Sequence, residues 1–188
     1  MKNIKLIAFL SLALVSAFVI SACTGSTATK TEKAESSDPS TTAAEKAETR
    51  GTKVGNLAPE FKLASVKGEA VSLDSLKGNP AVLVFWSYYC TSCEEEAPHI
   101  NKLNAEFARK GVQVVGINIG ESEARTQSGI KDWSIEYTVA RDEGRKVTQK
   151  YGVIGTPTVI FLDKDGVIKY NGNELPKDYS EKLNSLVS

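Results

Sequence analysis

Ala81 to Trp86 is an uninterrupted apolar run, Ala-Val-Leu-Val-Phe-Trp. A run with no polar alternation fits a strand buried on both faces at the centre of a sheet. Just downstream lies Cys90-Thr91-Ser92-Cys93. If that segment opens a helix, the i, i+3 spacing brings the two sulfurs close enough for a reversible disulfide. It also puts Cys90 at the helix N-terminus, where unpaired N–H groups and the macrodipole favour thiolate over thiol. The spacing alone suits half a zinc site or an accidental pair equally well.

The rest of the chain reads as alternating elements. Thr91 to Lys110 is expected to be helical, with a kink at Pro98 where an N–H is lost. Val112 to Ile119 is a second buried strand. Ser122 to Trp133 and Glu143 to Tyr151 read as helices. Thr158 to Leu162 and Val167 to Tyr170 read as strands joined by Asp163-Lys164-Asp165-Gly166, a turn with glycine at the position needing positive φ. The acids of that turn do not continue into a calcium-loop ligand series. Pro176 to Val187 closes the chain as a helix. Strand–helix–strand followed by a hairpin and a helix predicts an α/β domain around a mixed sheet.

The N-terminus reads as an address. Lys2 and Lys5 precede an apolar stretch, Leu6 to Ile20, that ends in Ile20-Ser21-Ala22-Cys23. The stretch is shorter than the ~20 residues a spanning helix needs. Its last four residues resemble a bacterial lipobox, which implies that Cys23 is acylated and becomes the new N-terminus. The residues also fit an ordinary signal peptide or an uncleaved anchor. From Thr24 to Thr52 there is no aromatic, Leu, Ile or Val, too little apolar surface to offset the entropy of ordering. A flexible tether of that length reaches roughly 30 Å. The expected organisation is therefore a signal peptide over 1–22, a lipidated cysteine and linker over 23–52, and a folded domain over 53–188. With Cys23 lipidated, the three cysteines reduce to one pair. Lys and Arg together number 23, as do Asp and Glu, and the lack of a basic surplus argues against nucleic acid as a partner.

Four segments carry a family resemblance. Val54 to Phe61 looks like the opening shared by peroxiredoxins and membrane-anchored thioredoxin-like proteins. Phe85 to Pro98 is similar to the Phe-Trp-x-x-Trp-Cys-x-x-Cys-x-x-Glu-x-Pro segment of TlpA/ResA-like thiol-disulfide oxidoreductases. Gly155-Thr156-Pro157-Thr158 resembles the Gly-x-Pro-Thr segment of the thioredoxin fold, and Asp163 to Val167 follows at the family's usual place. The resemblance implies a thioredoxin-like fold, a central mixed β-sheet flanked by helices, with an N-terminal β-hairpin extension. It departs at Ser92, where relatives often have Pro, and at Tyr89, where they often have Trp. Residues around the cysteines help set the potential, so these departures leave the direction of electron flow open.

By that resemblance Cys90 is the nucleophile that forms a mixed disulfide with substrate and Cys93 the thiol that resolves it. Glu96 lies at i+3 from Cys93 on the same helix face, at the family position proposed to exchange protons with the buried thiol. Read without the family, Glu94, Glu95 and Glu96 are acids favoured in a first helical turn. Their charge is expected to keep the Cys90 pKa from falling far, which favours a reductant. An X–Pro bond is trans by default; the resemblance implies a cis Thr156–Pro157 bond packed on the dithiol, with the Thr156 backbone pairing with substrate. Trp86, Tyr88 and Tyr89 divide between core packing and a substrate groove, and His99 reads as a surface residue.

The implied activity is reduction of disulfides in exported proteins, apocytochrome c among the family's substrates, by a monomer on the outer face of the cell membrane. It requires no cofactor but does require a membrane thiol-disulfide electron-transfer partner. An oxidase or isomerase on the same scaffold is the alternative. A peroxidase fits less well, because Leu83 and Ser87 stand where the peroxidatic motif has Pro and Thr. A metal-binding module would leave zinc short of its four ligands.

Overall fold

The computed structural model describes residues 49–188; the N-terminal apolar run, Cys23 and nearly all of the linker lie outside them. The elements follow in the order β1 (Lys62–Ser65), β2 (Ala70–Ser72), α1 (Leu73–Leu76), β3 (Ala81–Trp86), α2 (Thr91–Phe107), β4 (Gln113–Ile119), α3 (Glu123–Asp132), β5 (Thr138–Asp142), α4 (Lys146–Lys150), β6 (Thr158–Leu162), β7 (Ile168–Gly172) and α5 (Tyr179–Val187). One sheet contains all seven strands in the order β2-β1-β5-β4-β3-β6-β7. β3, β4 and β5 run parallel, while β6, β7 and the β1–β2 hairpin are antiparallel to their neighbours. This is a thioredoxin-like α/β fold with the hairpin as its N-terminal extension.

The apolar run behaves as its composition dictates. Every residue of β3 is buried, and alternate side chains supply two cores. Leu83 and Phe85 face the cluster with Val115, Ile117, Ile160 and Tyr151. Val82, Val84 and Trp86 face the one built with Ile100, Leu103 and Phe107 of α2 and Leu183 of α5. Both crossovers, β3–α2–β4 and β4–α3–β5, put their helices on this second face. The close fit of α3 requires a glycine: a Cβ on Gly129 would stand 2.6 Å from Trp86 Cζ3.

Several boundaries differ from those expected. Pro98 lies inside α2 without ending it, and the last residues of that segment, Ala108–Lys110, tighten into a 3₁₀ turn closed by Gly111 at φ 88°. The helix expected from Glu143 starts only at Lys146, because Arg145 takes a left-handed conformation at φ 55°. The buried Asp142 carboxylate sets that start by accepting from both the N–H and the hydroxyl of Thr148 at 2.7 Å. Strand β5 and the short helix α1 were not anticipated. In the β6–β7 turn Gly166 has φ 82°, and Asp163 spends its oxygens on Asp165 N–H, Val167 N–H and Lys169. Ordered contact also begins before residue 53: Gly51 N–H donates to Leu57 O at 3.0 Å, and Arg50 pairs with Glu60 at 2.6 Å.

Candidate active site

Cys90 is the N-cap of α2, and its Sγ accepts from Cys93 N–H at 3.1 Å. The first turn of the helix thus points a backbone donor at the sulfur, the arrangement that stabilises a thiolate. Cys90 and Cys93 form a disulfide, with Cα atoms 5.2 Å apart. Cys93 is buried at 4% exposure, whereas Cys90 is only half-buried. One sulfur is open to a partner and the other is shielded.

The Thr156–Pro157 peptide is cis. It delivers Thr156 O to 3.2 Å from Cys90 Sγ, a contact that a Cys90 thiol can use as a donor and a thiolate cannot. Pro157 shares a narrow cavity with Cys93, Glu96 and Trp86. The strand-end β3, the helix start α2 and the β6 entry therefore converge on two sulfurs.

Glu96 projects from the second turn of α2. Its Oε1 accepts from Leu175 N–H at 2.7 Å, and its Oε2 lies 3.5 Å from His99 Nδ1. The side chain is 16% exposed against 67% for His99. Glu96 lines the cavity beside Cys93 and also an open hollow of about 320 Å³ that includes His99, Lys102 and Glu174. Glu94 and Glu95 point to solvent.

Of the aromatic residues expected to divide between core and groove, Trp86 goes to the core. It is 2% exposed and offers no surface to a substrate. A column rises from it instead: Trp86 packs on Trp133 at 5.2 Å, Trp133 stacks on Tyr88 at 5.8 Å, and Tyr88 meets Tyr89 edge-on at 5.8 Å. Tyr89 ends the column at 72% exposure, with the Arg125 guanidinium 4.6 Å from its ring centre. The Asp132 carboxylate accepts from the Tyr88 hydroxyl at 2.8 Å, and this bond holds the phenol above its ordinary pKa.

Sequence reasoning missed Glu121. Its carboxylate accepts from Tyr88 N–H at 3.0 and 3.1 Å, from Ser87 Oγ at 3.2 Å and from Asn118 Nδ2 at 2.6 Å. Asn118, fully buried, in turn accepts from Thr126 Oγ1 at 2.9 Å. The loop that delivers Cys90 is thereby tied to the end of β4. Among the described residues, no three His, Cys, Asp or Glu side chains converge as a metal site would require.

A sequence profile of the AhpC/TSA family matches residues 54–171. The chain belongs to the AhpC/TSA family. Within it, the similarity runs to proteins that exchange thiols and disulfides. Thiol-disulfide oxidoreductase ResA of Bacillus thuringiensis subsp. konkukian is 30% identical over 135 residues, 71% of this chain and 78% of that one. ResA of Halalkalibacterium halodurans is 29% identical over 136 residues, 72% and 77% of the two chains. Among solved structures, a DsbE-type thiol:disulfide interchange protein of Chlorobium tepidum superposes with a TM-score of 0.68 at 27% identity, covering 73% of this chain and all of that one. This AhpC/TSA protein is a thiol-disulfide oxidoreductase, and its dithiol is the Cys90–Cys93 pair at the head of α2, the first half-buried and the second buried.

Proposed function

We propose that the protein reduces disulfides of exported proteins. The observation that carries this reading is the placement of Cys90: half-open, at a helix N-terminus, and 3.2 Å from Thr156 O. A carbonyl there stabilises the protonated thiol and works against the helix dipole. Exposed Glu94 and Glu95 add the same bias, weakened by solvent screening. A thiolate that is not over-stabilised is a poor leaving group and a good electron donor, which suits a reductase.

The reaction balances with two electrons and two protons. The Cys90 thiolate attacks one sulfur of the substrate cystine, the substrate S–S bond breaks, and the departing sulfur takes up a proton. The Cys93 thiol then loses its proton to Glu96 and attacks Cys90 Sγ. The mixed disulfide breaks, the second substrate sulfur leaves and is protonated, and the Cys90–Cys93 disulfide remains. An extracytoplasmic membrane thiol-disulfide partner then returns two electrons. Thr156 presents backbone to the substrate strand and Tyr89 an exposed aromatic face.

By the N-terminal reading this chemistry lies outside the cytoplasm, with Cys23 lipidated and the residues between it and Arg50 as tether. Haem-binding cysteines of apocytochrome c are the first substrate to test. In the assay, Cys93→Ser protein is mixed with a cystine peptide. It is expected to accumulate a peptide bound at Cys90, while Cys90→Ser accumulates none. Trapping at neither cysteine, or at Cys93 alone, overturns the assignment.

A further inference from the structure

We propose that the cavity on the α4 side of Cys90 is a subsite for an acidic residue near the target cystine, selected by Arg145; this rests on the reading that the protein reduces protein disulfides. The cavity, about 390 Å³, is walled by Ser87, Ile119, Arg145, Gln149, Ile154 and Thr156. It starts at the residue whose carbonyl touches Cys90 Sγ, so a polypeptide joined to that sulfur has it within a few residues' reach. Ile154 is fully exposed on its rim, an aliphatic prong with no partner in the fold.

Arg145 is held at φ 55°, a conformation that glycine takes freely and a long L side chain does not. Such outliers persist only where the surroundings fix them, and they gather at functional sites. Here the support is explicit. Arg145 N–H and Gly120 N–H both donate to Asp142 O at 3.0 Å, and the buried Asp142 carboxylate is locked to Thr148. The arginine side chain lies across Gly120, where a Cβ would meet Arg145 Nε first and would stand 3.1 Å from Cγ and 3.3 Å from Cδ. The same side chain walls the cavity, which puts its charge at the cavity's edge.

Its charge is also unspent. Arg141, on the same segment, pairs with both Glu123 and Glu143, but among the described residues Arg145 forms no ion pair. Glu121 stands behind the Ser87 wall, its carboxylate engaged by Ser87 Oγ, Tyr88 N–H and Asn118 Nδ2, so Arg145 is the charge left free for a substrate carboxylate.

The test uses cystine peptides carrying Glu or Gln at one to three residues from the cysteine, on either side, reduced by the full-length protein. At the favoured position the Glu peptide is expected to exceed its Gln twin about three- to fivefold in kcat/KM at low salt, the range of an exposed ion pair. The advantage should shrink at high salt and reverse in Arg145→Glu. Should that variant fail to fold, Arg145→Gly, suited to the backbone, is expected to bring the ratio to one. A wild-type protein that reduces all peptides equally, or an Arg145 variant that keeps the Glu preference, overturns the subsite alone. A wild-type protein that reduces none overturns the reductase reading and the subsite with it.

Discussion

Leu175 N–H donates to Glu96 Oε1 at 2.7 Å, so the loop ahead of α5 holds the carboxylate in place beside buried Cys93. Glu96→Gln keeps an acceptor for Leu175 but cannot take a proton. It is expected to slow the resolving step by roughly 10²-fold, the lower range for a lost general base, with little change in melting temperature. Glu96→Leu also strands the Leu175 N–H and should cost about 1–3 kcal/mol of stability. Stopped-flow decay of the mixed disulfide, set beside thermal melts, separates the two effects.

Glu121 acts on the other side of the dithiol. Glu121→Ala removes the acceptor from Tyr88 N–H, Ser87 Oγ and Asn118 Nδ2 together. With the Asn118 amide buried, the expected loss is about 1–3 kcal/mol. Activity should fall further than stability explains, because the freed loop carries Cys90. Urea melts and turnover at a temperature where the variant is fully folded provide the check.

Burial raises the pKa of Tyr137, and burial followed by the nearby Glu60 charge raises that of Tyr151. For an acid with a raised folded-state pKa, the native protein keeps a proton that the unfolded chain releases. Stability is therefore intact below the unfolded value of about 10 and declines above it. Each tyrosine should contribute a slope approaching about 1.4 kcal/mol per pH unit in that alkaline range. Tyr151→Phe is expected to remove one proton's worth of slope, read from urea midpoints above pH 10. It also sacrifices the 2.8 Å bond from the Tyr151 hydroxyl to Pro59 O, which lowers stability at neutral pH.

What the sequence disclosed follows from how local each signal is. The apolar run of β3 and the Cys90–Cys93 helix start are written in adjacent residues, and both stand where expected. The cis bond before Pro157 was legible only through resemblance, since X–Pro alone favours trans. Strand β5 escaped because five residues, Thr-Val-Ala-Arg-Asp, carry too little apolar pattern and are paired by β4 and β1 far away in the chain. Trp86 was ambiguous because a tryptophan beside a reactive cysteine packs or binds equally well. Its burial against Gly129 is a contact between distant segments. Glu121 left no local trace for the same reason, its loop partners lying 33 and 34 residues upstream. The late start of α4 depends on Arg145 adopting positive φ, which its residue type does not announce.

In the proposed reaction the Cys90–Cys93 pair donates electrons to substrate disulfides. The measurement that reaches it most directly is the pair's reduction potential, equilibrated against a glutathione or dithiothreitol couple. A value near that of thioredoxin, about −270 mV, is the expected result. A value of about −120 mV, that of a strong periplasmic oxidant, rules out a reductase and reverses the direction of electron flow.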